Sequence, residues 1–201
     1  SFFPEVLEEM ELDAICIGEG DRAILAVIDA FSSGDSLTGI PNILCRGQSP
    51  TEIRRELIDD LDSLPFMDRQ LYFAAAPHFR HLTIRGLMVG RGCPYDCTYC
   101  HNHLINKFFR GCGPILRRRS VEHVLAEIKY LMKNYGPVRQ IRFGDDVFSY
   151  KVDTWLEEFH NRYPKEIGLP FYCMMRSNIV NEDIMRILSN SGCVSMAMSF
   201  E

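Results

Sequence analysis

"GRGCPYDCTYC", residues 90–100, places three cysteines, Cys93, Cys97 and Cys100, within eight positions. The spacing Cys-x3-Cys-x2-Cys, on a loop that also holds Gly92 and Pro94, lets three thiolates turn toward one centre. Thiolates are soft donors, which favours iron–sulfur clusters, zinc or copper(I) over the hard cations. A cubane iron–sulfur cluster has about four irons, ordinarily one per cysteine, so three cysteines leave one iron open to another ligand. Zinc is the competing reading: His101 or His103 would close a Cys3His site.

On both sides of this loop the sequence alternates two periods. "HLTIRGLMVG" (81–90) reads as an apolar strand. From Ser120, a predicted cap, Val121, Val124, Leu125, Ile128, Leu131 and Met132 recur at helical spacing until "YGP" (135–137) stops them. Strands are predicted at 138–143, 171–175 and 193–200, and helices at 151–163 and 181–192, the last ended by Gly192. Strand and helix in strict alternation predict an α/β fold with a parallel sheet. Four strands cannot close a barrel. The chain opens at Ser1 and ends in "CVSMAMSFE", inside a predicted strand, so a piece of a longer protein is expected.

The first part is organised differently. "LDAICIG" (12–18) reads as a buried strand and residues 21–34 as a helix ended by Gly34. Residues 35–80, punctuated by Pro41, Pro50, Pro65 and Pro77, read as a connector of short strands and turns. Three segments follow: 1–34, the linker 35–80, and a core at 81–201.

In parallel α/β sheets, reactive groups gather on the loops leaving the C-terminal strand ends. The first core strand is followed by the three cysteines, the second by Gly144, Asp145 and Asp146, the third by Arg176, and the fourth by Glu201. All four strand ends thus carry polar or metal-binding groups. A net charge of −5 gives no general attraction to nucleic acid, so none is expected as a partner. Arg117-Arg118-Arg119 reads as a solvated turn. No apolar stretch approaches the ~20 residues of a membrane span, and scattered cysteines suit a reducing cytoplasm.

"CPYDCTYC" resembles the C-x3-C-x-aromatic-C signature of radical S-adenosylmethionine (radical SAM) enzymes. The resemblance implies a 4Fe–4S cluster held by Cys93, Cys97 and Cys100, and a partial TIM-like (β/α) barrel of which 81–201 is the first half. It implies S-adenosylmethionine on the open iron, Tyr99 packing near its adenine, and a 5′-deoxyadenosyl radical as the product of its cleavage. "FGDD" (143–146) stands where the family has a Gly-Gly-Glu segment that holds the methionine amino group; here Asp145 and Asp146 replace the second Gly and the Glu. Arg176 and Glu201 match polar positions that meet the carboxylate or ribose.

"ICIGEGDRAILAVIDAF" further resembles the last strand–helix unit of the Rossmann-like cobalamin-binding domain of one branch. "DDLDSLPFMDRQLY" (59–72) is similar to that branch's linker, and "RRRSVEHVLAEI" to its helix entry. Gly18, Glu19 and Gly20 are placed by this resemblance near the nucleotide tail of cobalamin. The branch implies cobalamin-dependent methyl transfer or an oxidative cyclisation on a small-molecule substrate, with a flavodoxin or ferredoxin as reductant. Two rivals are carried: a methylthiotransferase acting on tRNA or protein, and a zinc- or iron–sulfur-stabilised electron-transfer module.

Overall fold

The computed structural model describes residues 5–9 and 11–198. In chain order they form helix α1 (Val6–Glu9), strand β1 (Ala14–Cys16), helix α2 (Asp21–Ser33), strand β2 (Ile43–Cys45) and helix α3 (Arg69–Ala75). Strands β3 (Ile84–Leu87) and β4 (Gly90–Arg91), helix α4 (Asn102–Phe108), strand β5 (Arg117–Arg118) and helix α5 (Val121–Asn134) follow. The chain continues with β6 (Gln140–Phe143), α6 (Thr154–Glu166), β7 (Phe171–Met174), α7 (Glu182–Asn190) and β8 (Cys193–Ala197). These pack as two compact units, one of Ser1–Asp59 with Tyr95–Ile115, the other of Asp60–Pro94 with Leu116–Glu201.

The larger unit is built on a parallel sheet in the order β3-β6-β7-β8, with α5, α6 and α7 as the successive connections. The predicted alternation is what the structure shows. Each helix starts at a residue chosen for its side chain. Ser120 accepts from the His123 amide, Asp153 from Leu156 and Asn181 from Ile184, satisfying donors that the first turn leaves unpaired. Helix α6 begins later than the sequence pattern suggests because Asp153 caps it, and it runs past Pro164 to Glu166. Ile141 and Phe143 alternate inward from β6. Phe143 meets Phe148, Phe159, Tyr163 and Phe171, with ring centroids 4.9–6.3 Å apart. Each such ring, removed from water, contributes about 1.5–3 kcal/mol.

The first core strand is shorter than predicted. Regular pairing ends where the Gly144 amide donates to the Leu87 carbonyl at 2.8 Å. The amides of Val89 and Gly90 then turn to the Asp145 carboxylate instead of continuing the ladder. Residues 90–91 pair antiparallel with 117–118, a two-residue ribbon too short to leave a periodic signal.

In the smaller unit β1 pairs antiparallel with β2, a strand drawn from the segment read as connector. Leu7, Ile17 and Leu44 form its buried centre, with Leu12, Ile15, Ile53 and Phe108 packed around them. The connector also holds α3, capped by Asp68 on the Gln70 amide, which the turn-rich sequence concealed. Among the described residues no helix is long and apolar enough to cross a membrane.

Candidate functional site

Because β3, β6, β7 and β8 run in one direction, their C-terminal ends share one edge of the sheet. The chain leaving β3 leads through Gly92 to Cys93, that leaving β6 carries Gly144, Asp145 and Asp146, and that leaving β7 carries Arg176. Arg176 is half-buried and its Nε donates to Asn178 Oδ1 at 3.2 Å. Glu201 lies outside the described residues.

The two adjacent aspartates differ in environment. Asp145 is 5% exposed; its carboxylate accepts from Val89 N at 3.0 Å and from Gly90 N at 2.7 Å. Burial pushes its pKa up to about 6, and the amides pull it down only in part. The carboxylate is a clamp on the backbone that leads into the cysteine loop. Asp146 is exposed and lines a cavity of about 310 Å³ with Met88, Gly92, Arg117, Tyr150 and Trp155. Of the pair, only Asp146 presents its side chain to solvent.

Two further contacts brace the same backbone. Tyr150 donates its hydroxyl to the Gly92 carbonyl at 3.2 Å. Burial, then the charges of Cys93 and Asp146, raise the Tyr150 phenol above its ordinary range. At Gly90 a Cβ would stand 2.7 Å from the Arg117 carbonyl, so the ribbon requires glycine there.

The arginine run at 117–119 is not a solvated turn. Arg117 is buried, and Arg118 pairs with Asp153 at 3.2 Å while lying 4.9 Å from the Trp155 ring centre. Arg119 pairs with buried Glu127 at 2.6 Å and donates to the Met88 carbonyl. The short β5 strand turns these side chains to opposite sides, a periodicity three identical residues cannot display. Tyr150 and Trp155 escaped the sequence reading for a related reason: neither belongs to a motif, and only the fold brings them to this edge.

Cys93 is buried and falls in the larger unit, whereas Cys97 and Cys100 are half-buried and fall in the smaller one. The Cys100 amide donates to the Cys97 carbonyl at 3.0 Å, a turn that draws these two positions together. Tyr99 is 65% exposed. His103 Nδ1 is engaged by the Cys100 carbonyl, and His101 is exposed. Among the described residues no three His, Cys, Asp or Glu side chains stand close enough to hold a metal ion. Metal ligands must lose their protons on binding, and such sites are rarely preformed without the metal. Three thiols on one loop, none in a disulfide, therefore fit an iron–sulfur cluster by the chemistry of the donor set.

In the smaller unit, Gly18 has φ +90°, and a Cβ there would strike the Phe109 ring at 2.2 Å. Glu19 accepts the Ile58 amide on its carboxylate at 2.7 Å and the Asn42 amide group on its carbonyl at 2.9 Å. Gly20 sits at the start of α2, which receives no side-chain cap. Each of these three residues thus has a part in the local fold.

Residues 87–201 match the family model described as the radical SAM superfamily. An uncharacterized methyltransferase of Pyrococcus horikoshii is 26% identical over 193 residues, covering 94% of this chain and 40% of its own. The cytidylyl-2-hydroxyethylphosphonate methyltransferase of Streptomyces wedmorensis is 25% identical, covering 100% of this chain and 42% of its own. The chain therefore spans about two fifths of the length of these curated relatives. The structure of the radical S-adenosylmethionine methyltransferase TsrM from Kitasatospora setae, with cobalamin and a 4Fe–4S cluster bound, superposes with a TM-score of 0.69. That likeness covers 99% of this chain and 39% of TsrM at 15% identity, a similarity of fold. With a family match over more than half its length, beginning at the strand end that leads to the three cysteines, the chain belongs to the radical SAM superfamily.

Proposed function

We propose that this chain is part of a cobalamin-dependent radical SAM enzyme that transfers a methyl group to, or oxidatively cyclises, a small-molecule substrate. The observation that carries the reading is the loop of three cysteines, none in a disulfide, that leaves a parallel sheet within the family match. Cys93, Cys97 and Cys100 would hold a 4Fe–4S cluster. When bound, that cluster supplies the electron that cleaves S-adenosylmethionine to a 5′-deoxyadenosyl radical.

The chain's own residues do the positioning. Asp145 and Tyr150 fix the backbone at 89–92, so Cys93 starts from a rigid base. Asp146, Gly144 and Arg176 offer polar contacts to the methionine and ribose groups, and the exposed Tyr99 ring offers a face to the adenine. In this assignment Asp145 acts through the backbone, because its oxygens are already engaged. Glu201 is retained as a further cofactor contact.

Residues 1–34 are read as the end of a Rossmann-like cobalamin-binding domain, 35–80 as linker and 81–201 as the first part of a TIM-like barrel. The exposed apolar face of α2, where Ile24, Leu25, Ile28 and Phe31 are all more than half exposed, supports a larger apolar surround for that segment. Gly18, Glu19 and Gly20 would border the cobalamin. Flavodoxin or ferredoxin is the proposed reductant, and the cytoplasm the proposed location. The two curated relatives that match over nearly the whole chain carry methyltransferase names, which favours methyl transfer over cyclisation, and a third, a methylthiotransferase, matches over a shorter stretch.

Anaerobic reconstitution of the full-length protein with iron and sulfide, followed by paramagnetic resonance of the reduced cluster, tests this. The expected result is a spectrum that changes when S-adenosylmethionine is added, because the molecule binds the open iron. An unchanged spectrum rejects the proposal.

A further inference from the structure

Helix α4, which starts two residues after Cys100, is fixed on one side and open on the other. Phe109, at its C-terminal end, is 1% exposed with its ring against the backbone of Gly18, and Phe108 packs on the core of the smaller unit. At its start the Leu104 and Ile105 amides donate to the His101 carbonyl at 3.0 and 3.2 Å, and His103 engages the Cys100 carbonyl. The helix is thus tied at one end to Cys100 and at the other to the fold.

Its outward side carries His101, Leu104 and Lys107, exposed at every third position, and Arg110 continues the stripe in the closing turn. Arg55 reaches the same end. Its guanidinium lies 5.4 Å from the Phe108 ring centre and donates to the Phe108 carbonyl. Arg55, Lys107 and Arg110 are all exposed, and among the described residues none of them forms an ion pair. By contrast Arg22 and Arg54, in the same unit, both pair with Glu56.

Between Asp96 and Glu122 the sequence has no acidic residue, although the chain as a whole carries a net charge of −5. Salt screens charges beyond about 10 Å, so a partner at this helix meets the three cations before the acidic remainder. A helix rises about 1.5 Å per residue, which puts Lys107 about 10 Å from Cys100 along the axis. An apolar centre at Leu104 beside unpaired cations suits a weak, electrostatically steered interface, the kind that electron-transfer partners form. A nucleic-acid face commonly neutralises about six or more phosphates, and three cations fall short of that.

We infer that the outward side of α4, together with Arg55, docks an acidic one-electron carrier protein. The inference rests on the proposed cluster of Cys93, Cys97 and Cys100 and names the surface through which that cluster is reduced. One electron leaves the carrier's reduced cofactor and arrives on the cluster, and no bond or proton is exchanged.

The test mixes reconstituted full-length protein with reduced flavodoxin, an acidic carrier, and follows the rate of cluster bleaching. Calorimetry measures the affinity for oxidised flavodoxin in parallel. Lys107→Glu/Arg110→Glu should slow reduction by flavodoxin about tenfold at low salt and weaken binding by a similar factor. Reduction by dithionite, which needs no docking face, should not change. Rising ionic strength should slow the unsubstituted protein and leave the variant nearly unaffected. Lys133→Glu/Lys165→Glu makes the same change in net charge at exposed positions on α5 and α6 and should alter neither rate nor affinity. Equal effects of the two variants, or unchanged flavodoxin reduction and binding in the first, overturn the inference. Loss of tRNA binding in the first variant with flavodoxin reduction intact would assign the face to nucleic acid and overturn it too. A protein that takes up no cluster fails the reading of the cysteines, while the calorimetric arm still decides the docking face.

Discussion

The two ends of the parallel sheet each bury a charge and surround it with backbone dipoles, yet they leave it in different conditions. At the C-terminal end Asp145 takes the Val89 and Gly90 amides with both oxygens, at 2.7–3.0 Å. At the N-terminal end Arg85 reaches three carbonyls and still keeps one donor without an acceptor. A satisfied buried charge is a structural strut, and one with an unpaired buried donor carries a standing cost of about 1–3 kcal/mol. The carboxylate sits where the family's chemistry is expected and serves the backbone. The guanidinium sits at the opposite end and gathers three backbone carbonyls.

Removing the carboxylate that Arg69 and Arg119 share puts the contrast under most strain. Glu127→Gln takes away the charge that Arg69 and Arg119 share, leaving buried cations uncompensated. Chemical denaturation should show a loss of about 3–5 kcal/mol. A loss below about 1 kcal/mol would mean that solvent reaches these arginines.

At the other end the effect should depend on pH. The Asp145 carboxyl titrates at about 6 in the folded chain, against about 4 unfolded. Between those values the folded chain keeps a proton that the unfolded chain has lost. Stability therefore falls as pH rises across that window, by about 3 kcal/mol in all, and is flat with respect to this group above it. Asp145→Asn should remove that slope from a series of denaturation curves at pH 4–7. A slope that persists unchanged would assign the titration to another group.

Smaller effects are expected from the ribbon and the tyrosine. Gly90→Ala drives a Cβ to 2.7 Å from the Arg117 carbonyl, and should cost about 1–3 kcal/mol by the same measurement. Tyr150→Phe removes the hydrogen bond to Gly92, for a loss of about 1 kcal/mol. Faster amide exchange near Gly92 in that variant would show that the bond steadies the chain before Cys93.

Much of this architecture was legible in the residues themselves. The helices beginning after Ser120 and Asn181 carry apolar residues at helical spacing and polar caps, so periodicity and capping chemistry agree there. The cysteine spacing pointed to the family for the same reason: local geometry and donor chemistry are both written in eight consecutive positions. What stayed hidden depends on residues far apart in the chain. Asp145 meets Val89 across 56 positions, and no pattern in "FGDD" says which of its two aspartates turns inward. The 117–118 strand is two residues long, and Arg85 looks like any charged residue in a strand until its neighbours bury it. Helix α3 was lost among prolines that in fact flank it.

The central claim is that three thiolates, and no histidine, carry the metal. Iron and sulfide should be quantified after anaerobic reconstitution of the unsubstituted protein, of Cys93→Ala, Cys97→Ala and Cys100→Ala, and of the His101→Ala/His103→Ala double variant. About four irons per chain are predicted for the unsubstituted protein and the histidine variant, with loss from each cysteine variant. Iron retained without the cysteines, or metal lost with the histidines, would contradict the account.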